Sequence, residues 1–167
     1  MPRPDVSTPA RQTAVLTENR IRACLRECAQ LIAPDGTEIL YRIGTVSSVS
    51  FLHQELATWG RGATLTHNHP NGQSFSLEDV SLAMAYALRE VRVVTTTHRH
   101  VATMFSPSMR LPLGGAMAAE EARAAAACRD DVRRGLMNPA DFGVTVRHRT
   151  WQRLARSLGF DYWREQS

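Results

Sequence analysis

The chain has 167 residues, 43% of them apolar, with 20 basic and 16 acidic side chains and a formal net charge of +4. That is enough to bury one ordinary core, and no apolar run is long enough for a membrane span. The opening M-P-R-P-D-V-S-T-P carries no hydrophobic signal segment, so the expected setting is the cytoplasm, or delivery from it without a signal peptide.

In chain order, residues 1–12 read as a disordered lead and residues 15–25 as a first helix. Glu27 opens the apolar run E-C-A-Q-L-I-A, which ends at the turn set Pro34-Asp35-Gly36 and predicts a hairpin into residues 37–43. Ser47-Ser48 is expected to cap a second helix, with Val49, Leu52, Leu56 and Trp59 on one face and Gly60-Arg61-Gly62 ending it. Residues 63–69 read as a strand. Residues 76–89 read as a helix with Val80, Ala83, Met84, Ala87 and Leu88 on one side. Residues 91–97 and 100–105, rich in Val and Thr, are two further strands, and His98 and His100 are expected at the surface of the hairpin turn between them. The composition changes after Pro107. Gly114-Gly115 precedes an alanine-rich helix over residues 116–136, which Asn138-Pro139 breaks. A short amphipathic helix over residues 150–158 carries Trp151, Leu154 and Leu158 on one side, and the closing F-D-Y-W is apolar enough to pack back on the domain.

The chemistry concentrates in L-T-H-N-H-P-N-G-Q-S-F-S-L-E-D-V, residues 65–80. In an extended strand His67 and His69 point to one face and Asn68 to the other. Pro70, Asn71 and Gly72 then turn the chain. Ser76-Leu77-Glu78-Asp79 opens an amphipathic stretch, so a carboxylate on a first helical turn can be carried back against both histidines. Two His and one Asp form a borderline nitrogen/oxygen set, and three protein ligands leave a fourth tetrahedral position for water, as in a catalytic rather than a structural zinc site. S-x-x-D ahead of an apolar run is also a capping box, with Ser76 as the N-cap, and the two roles are compatible. Cys24, Cys28 and Cys128 form no C-x-x-C pair and leave an odd count, which points to reduced core or surface thiols rather than zinc ligands.

The run T-H-N-H-P-N-G with a following S-x-x-D resembles the signature of the JAMM/MPN-type (JAB-domain) zinc metallopeptidases: His-x-His-Pro, a short linker, Ser-x-x-Asp, and a separate upstream glutamate. The linker here, Pro70 to Phe75, is six residues, about one shorter than the family usually has. That separates it from the RadC-like branch and suits the shorter H-N-H-P form of phage-encoded and toxin- or effector-associated members. With the order of elements around it, the resemblance spans roughly residues 21–105. It implies an α/β fold with an MPN-like (cytidine-deaminase-like) curved mixed sheet flanked by helices. The expected organisation is a metallopeptidase core over residues 13–106 and a helical C-terminal extension over residues 107–167 packed on it.

The resemblance also implies roles. His67, His69 and Asp79 would hold Zn2+, which lowers the pKa of bound water toward roughly 7. Glu27, at the start of a mostly apolar strand, is the choice for the general base, with Glu38 on the facing strand as the fallback; Glu18 and Glu55 read as solvated helix residues. Ser76 would donate to the developing oxyanion, Ser74 reads as a turn residue, and Asn68 as a residue that fixes the loop. The implied substrate is a protein cleaved at a peptide or isopeptide bond, in a ubiquitin-like modifier or its conjugate, with no membrane partner. Two alternatives stand beside it: an HNH-type metal-dependent nuclease, suggested by the literal His67-Asn68-His69 and a pI near 9.5, and a non-catalytic MPN-like binding module. The arginines are spread without interleaved aromatics, so no nucleic-acid groove is read. All 20 basic residues are arginine. Codon bias in a GC-rich genome explains this, and so does a protein that works among lysine-linked conjugates and escapes modification itself.

Overall fold

The computed structural model describes residues 2–106 and 110–167; the composition break at Pro107 lies outside them. Helix α1 (Pro9–Ile21) begins six residues ahead of the expected start, so residues 9–12 of the expected disordered lead are helical. The Thr8-Pro9 pair explains the early start: the Thr8 hydroxyl accepts from the Arg11 N–H, and proline at N1 gives up an N–H that has no helical partner anyway. Apolar periodicity understates this helix because two of its buried positions are Thr17 and Glu18.

Strands β1 (Cys28–Ile32) and β2 (Glu38–Ile43) form the expected antiparallel hairpin. Its turn closes through Gly36 N–H to Ala33 C=O at 2.9 Å and Thr37 N–H to the Asp35 carboxylate at 2.9 Å. Helix α2 (His53–Trp59) starts later than Ser47-Ser48 predicted. The Ser48 carbonyl instead accepts from Thr45 N–H at 2.7 Å in a turn, and Glu55 closes the helix start by accepting from Leu52 N–H at 2.9 Å. Residues 44–52 are therefore an irregular loop. Then come β3 (Thr64–Asn68), α3 (Leu77–Ala85), β4 (Glu90–Val94) and β5 (His98–Thr103). Helix α4 (Arg110–Arg133) takes in Gly114-Gly115, α5 (Phe142–Leu158) begins eight residues before the expected start, and the chain closes in strand β6 (Asp161–Gln166).

The six strands form one mixed sheet in the order β2-β1-β3-β4-β5-β6, flanked by the five helices. Only β3 and β4 are parallel, and a parallel pair needs a crossover, which α3 supplies. The C-terminal segment was expected as a helical extension; it contributes an edge strand to the sheet and Trp151 to its main core. No described helix is long and apolar enough to cross a membrane.

Alternation along the strands gives the sheet two unlike faces. On one face Leu31, Leu65, Val91, Val93 and Ala102 pack against Phe75, Val80, Met84, Trp151 and Leu154. On the other, α1 lowers Glu18 onto the sheet, where the solvated residue of the sequence reading is fully buried. Its carboxylate accepts from Thr66 Oγ1 at 3.0 Å, Arg92 Nε at 2.5 Å and Arg99 Nε at 2.7 Å, and Arg92 also pairs with Glu90 at 2.9 Å and Glu165 at 3.0 Å. A buried carboxylate survives only with such compensation. Glu55 is likewise not free in solvent but paired with Arg42. His98 and His100 lie in β5 rather than in a turn. His100 is fully buried, with Nδ1 2.9 Å from the Tyr162 hydroxyl, which also lies 2.8 Å from His148 Nδ1. Burial pushes His100 well below the usual histidine range and His148 down to about 4.

Candidate metal centre

Strand β3 lies between β1 and β4, with His67 opposite Ala29 on one side and Val93 on the other. Two-residue alternation turns His67 toward the α3 face. His69 leaves the strand with its N–H on the Val94 carbonyl at 3.0 Å, and the turn that follows closes through Gly72 N–H to His69 C=O at 3.1 Å. Gly72 has φ +76°, a left-handed conformation that glycine adopts without steric cost, as the P-N-G signal required.

His69 Nδ1 lies 3.2 Å from the Gln73 carbonyl and 3.1 Å from that of Ser74. Carbonyls only accept, so these partners assign the proton to Nδ1 and leave the lone pair on Nε2. A ring nitrogen held this way is the usual support of a metal-binding imidazole. His69 Nε2 is 3.0 Å from His67 Nε2; Asp79 places Oδ1 3.2 Å from His67 Nε2 and Oδ2 3.6 Å from His69 Nε2. A tetrahedral ion with bonds of 2.0–2.1 Å separates its ligand atoms by roughly 3.3 Å. The three side chains thus have the spacing to hold a metal ion, and they are the one such group of three among the described residues.

Asp79 is aimed by the capping box read from the sequence. Ser76 Oγ accepts from Asp79 N–H at 3.1 Å, and Asp79 Oδ2 accepts from Ser76 N–H at 2.7 Å. Burial disfavours the Asp79 carboxylate, but His67, His69 and the Ser76 N–H outweigh it and hold its pKa far below the ordinary value. Burial pushes His69 down to about 4, helped by the His67 charge. Burial also works against the His67 imidazolium, yet Asp79 and Glu27 outweigh it and the net shift is upward. These opposed shifts have one cause, two imidazoles and a carboxylate crowded together in a buried place.

Glu27 precedes β1 and is buried in the same place. Its N–H donates to Thr45 C=O at 2.7 Å and its C=O accepts from Gly44 N–H at 2.7 Å. Burial raises its pKa; His67 lowers it and Asp79 raises it again, for a net upward shift. Glu27, His67, Glu78 and Asp79 line a cavity of about 170 Å3 with an apolar wall that includes Phe51, Leu65 and Leu82. Glu38, the fallback base, is not there: it is 48% exposed and pairs with Arg20 at 3.0 Å. A larger hollow of about 430 Å3 lies between α4 and α5, lined by Arg129, Val132, Arg133, Pro139 and Phe142, with no imidazole or carboxylate in its wall.

No family model, curated protein or solved structure matches the chain. The functional argument therefore rests on the side chains themselves. Of the residues singled out in the sequence, the fold brings Glu27, His67 and Asp79 to the wall of one cavity, while His69 and Ser76 meet Asp79 beside it. Sequence reasoning missed the 44–52 loop, whose Val49, Ser50 and Phe51 form a wall of the cavity. Ser47-Ser48 reads as a helix cap, and no local signal distinguishes that from the turn Thr45 and Ser48 close.

Proposed function

We propose that the protein is a zinc-dependent metallopeptidase of JAMM/MPN type, hydrolysing a peptide or isopeptide bond in a ubiquitin-like modifier or its conjugate. One observation carries the reading: two imidazole nitrogens and a carboxylate converge at 3.0–3.6 Å beside a second, buried carboxylate whose pKa is raised. The element order supports the MPN-like arrangement, with a hairpin, a helix, the histidine strand and then the helix that returns the aspartate. Zinc held by His67, His69 and Asp79 supplies a Lewis acid and brings water ionisation into the neutral range. Glu27 takes a proton at the cavity and delivers it to the leaving amine, a task its raised pKa suits because the acid form then persists closer to neutrality. Ser76 spends its oxygen lone pair on the cap, which leaves its hydroxyl hydrogen free to donate to the carbonyl oxygen as charge grows there. The absence of lysine fits a protein that works among lysine-linked conjugates.

The test is metal analysis followed by incubation with a panel of ubiquitin-like fusions, with and without chelator. The expected result is about one zinc per chain, cleavage that chelation abolishes, and loss of both in His67→Ala/His69→Ala. Full zinc retention by that double variant, or cleavage that survives chelation, overturns the reading.

A further inference from the structure

Asn68 lies between the two histidine ligands and is fully buried. Strand alternation turns it away from them, to the face that α1 covers. There both ends of its amide are engaged: Oδ1 accepts from Cys28 N–H at 2.7 Å, and Nδ2 donates to Cys24 C=O at 3.2 Å and Arg26 C=O at 3.1 Å. Two of these partners, Arg26 and Cys28, are the residues on either side of Glu27. The β1–β3 ladder ends at the pair Ala29 and His67. Beyond that pair the Asn68 side chain takes the place of the strand pairing that would otherwise hold residues 24–28 against β3. Glu27 is held from the other side by its two backbone bonds to Gly44 and Thr45.

Resting on the metallopeptidase reading, we propose that Asn68 is a positioning residue: it ties the backbone on both sides of Glu27 to the strand that carries His67, and so fixes the Glu27 carboxylate relative to the metal ligands. The position needs one acceptor and two donors on a short planar head, which asparagine alone provides. Aspartate would set a carboxylate against two carbonyl oxygens, and serine offers a single donor. Through Asn68 one tripeptide does two jobs, since the side chains of His67 and His69 hold the metal on one face while that of Asn68 holds the base from the other.

The bland account is that Asn68 merely satisfies buried backbone groups. A double-mutant cycle on zinc-loaded protein, read by calorimetric binding of acetohydroxamate, separates the two, because this probe binds at zinc and hydrogen-bonds to a neighbouring carboxylate. Asn68→Ala should keep zinc and weaken acetohydroxamate by about tenfold or more, the usual range for a group that supports a metal site from behind. Glu27→Gln should weaken it as well, and the double variant should bind no more weakly than Glu27→Gln alone. Additive losses, or an Asn68→Ala variant that binds as the parent does, overturn the inference. So does weakening by Asn68→Ala when Glu27→Gln has no effect. A parent that binds no zinc overturns the metal reading itself, and this inference with it, before any Asn68 variant is made. If Asn68→Ala does not fold, Asn68→Ser, which keeps an acceptor for Cys28 N–H, carries the same cycle.

Discussion

Ser76 is assigned two roles that a single substitution separates. In Ser76→Ala the lost contact within the fold is the 3.1 Å bond from Asp79 N–H; the reciprocal 2.7 Å bond from Ser76 N–H to Asp79 Oδ2 uses backbone and survives. Loss of an N-cap hydroxyl costs about 1 kcal/mol. For a chain of 167 residues that is a drop in Tm of about 3 °C. Because the surviving bond still aims Asp79 at His67 and His69, zinc content should stay near that of the parent. If the hydroxyl also donates to the carbonyl oxygen in the transition state, kcat should fall by about 2.7–4 kcal/mol, on the order of a hundred- to a thousandfold, with little change in KM. Melting, metal analysis and steady-state kinetics on the one variant decide the matter. Unchanged kinetics with the expected loss in Tm leaves Ser76 as a cap only. Loss of zinc shows that the surviving backbone bond does not hold Asp79, and refutes the argument from its geometry.

Three further outcomes follow from the structure. Glu27→Gln should retain zinc and slow hydrolysis by about a hundredfold or more, whereas Glu38→Gln, which breaks only an exposed pair with Arg20, should be close to the parent; the reverse ranking in a cleavage assay would reassign the base. Arg92→Met should lower stability by about 3–5 kcal/mol in denaturant unfolding, because Glu18, Glu90 and Glu165 each lose a buried counter-charge, and a loss below about 1 kcal/mol would mean the network contributes little. The metal-free protein should lose stability as the pH falls from 6.5 to about 4, since over that window the unfolded chain binds a proton at His69 that the folded chain excludes. The slope is about 1.4 kcal/mol per pH unit for this one group. His148 and His100 add to it with the same sign, Glu27, shifted upward, opposes it, and His67, shifted upward, titrates above the window. Denaturation midpoints that stay flat across the window would refute this.

Much of the site is local and was legible for that reason. The two-residue alternation that pairs His67 with His69, the P-N-G turn, and the S-x-x-D cap that aims Asp79 are contained in residues 65–80 and need only backbone geometry to be read. The hairpin at Pro34-Asp35-Gly36 was legible on the same grounds. What failed were judgements about burial at a distance. Glu18 reads as a solvated helix residue until α1 lays it beside Arg92 and Arg99, which follow it by 74 and 81 residues. His100 reads as a surface residue until β6 and α5 cover it with Tyr162 and His148. The closing segment, whose D-Y-W-R-E-Q pattern carries too little apolar alternation to announce a strand, becomes one because β5 offers an unpaired edge. The sequence by itself determined the His67-His69-Asp79 cluster and the cap, through short-range periodicity and turn chemistry. The tertiary structure decided between the sequence's first choice and its fallback, because hydrogen bonds from Asn68 and the 44–52 loop, far apart in the chain, bring Glu27 to the cavity while Glu38 stays at the surface.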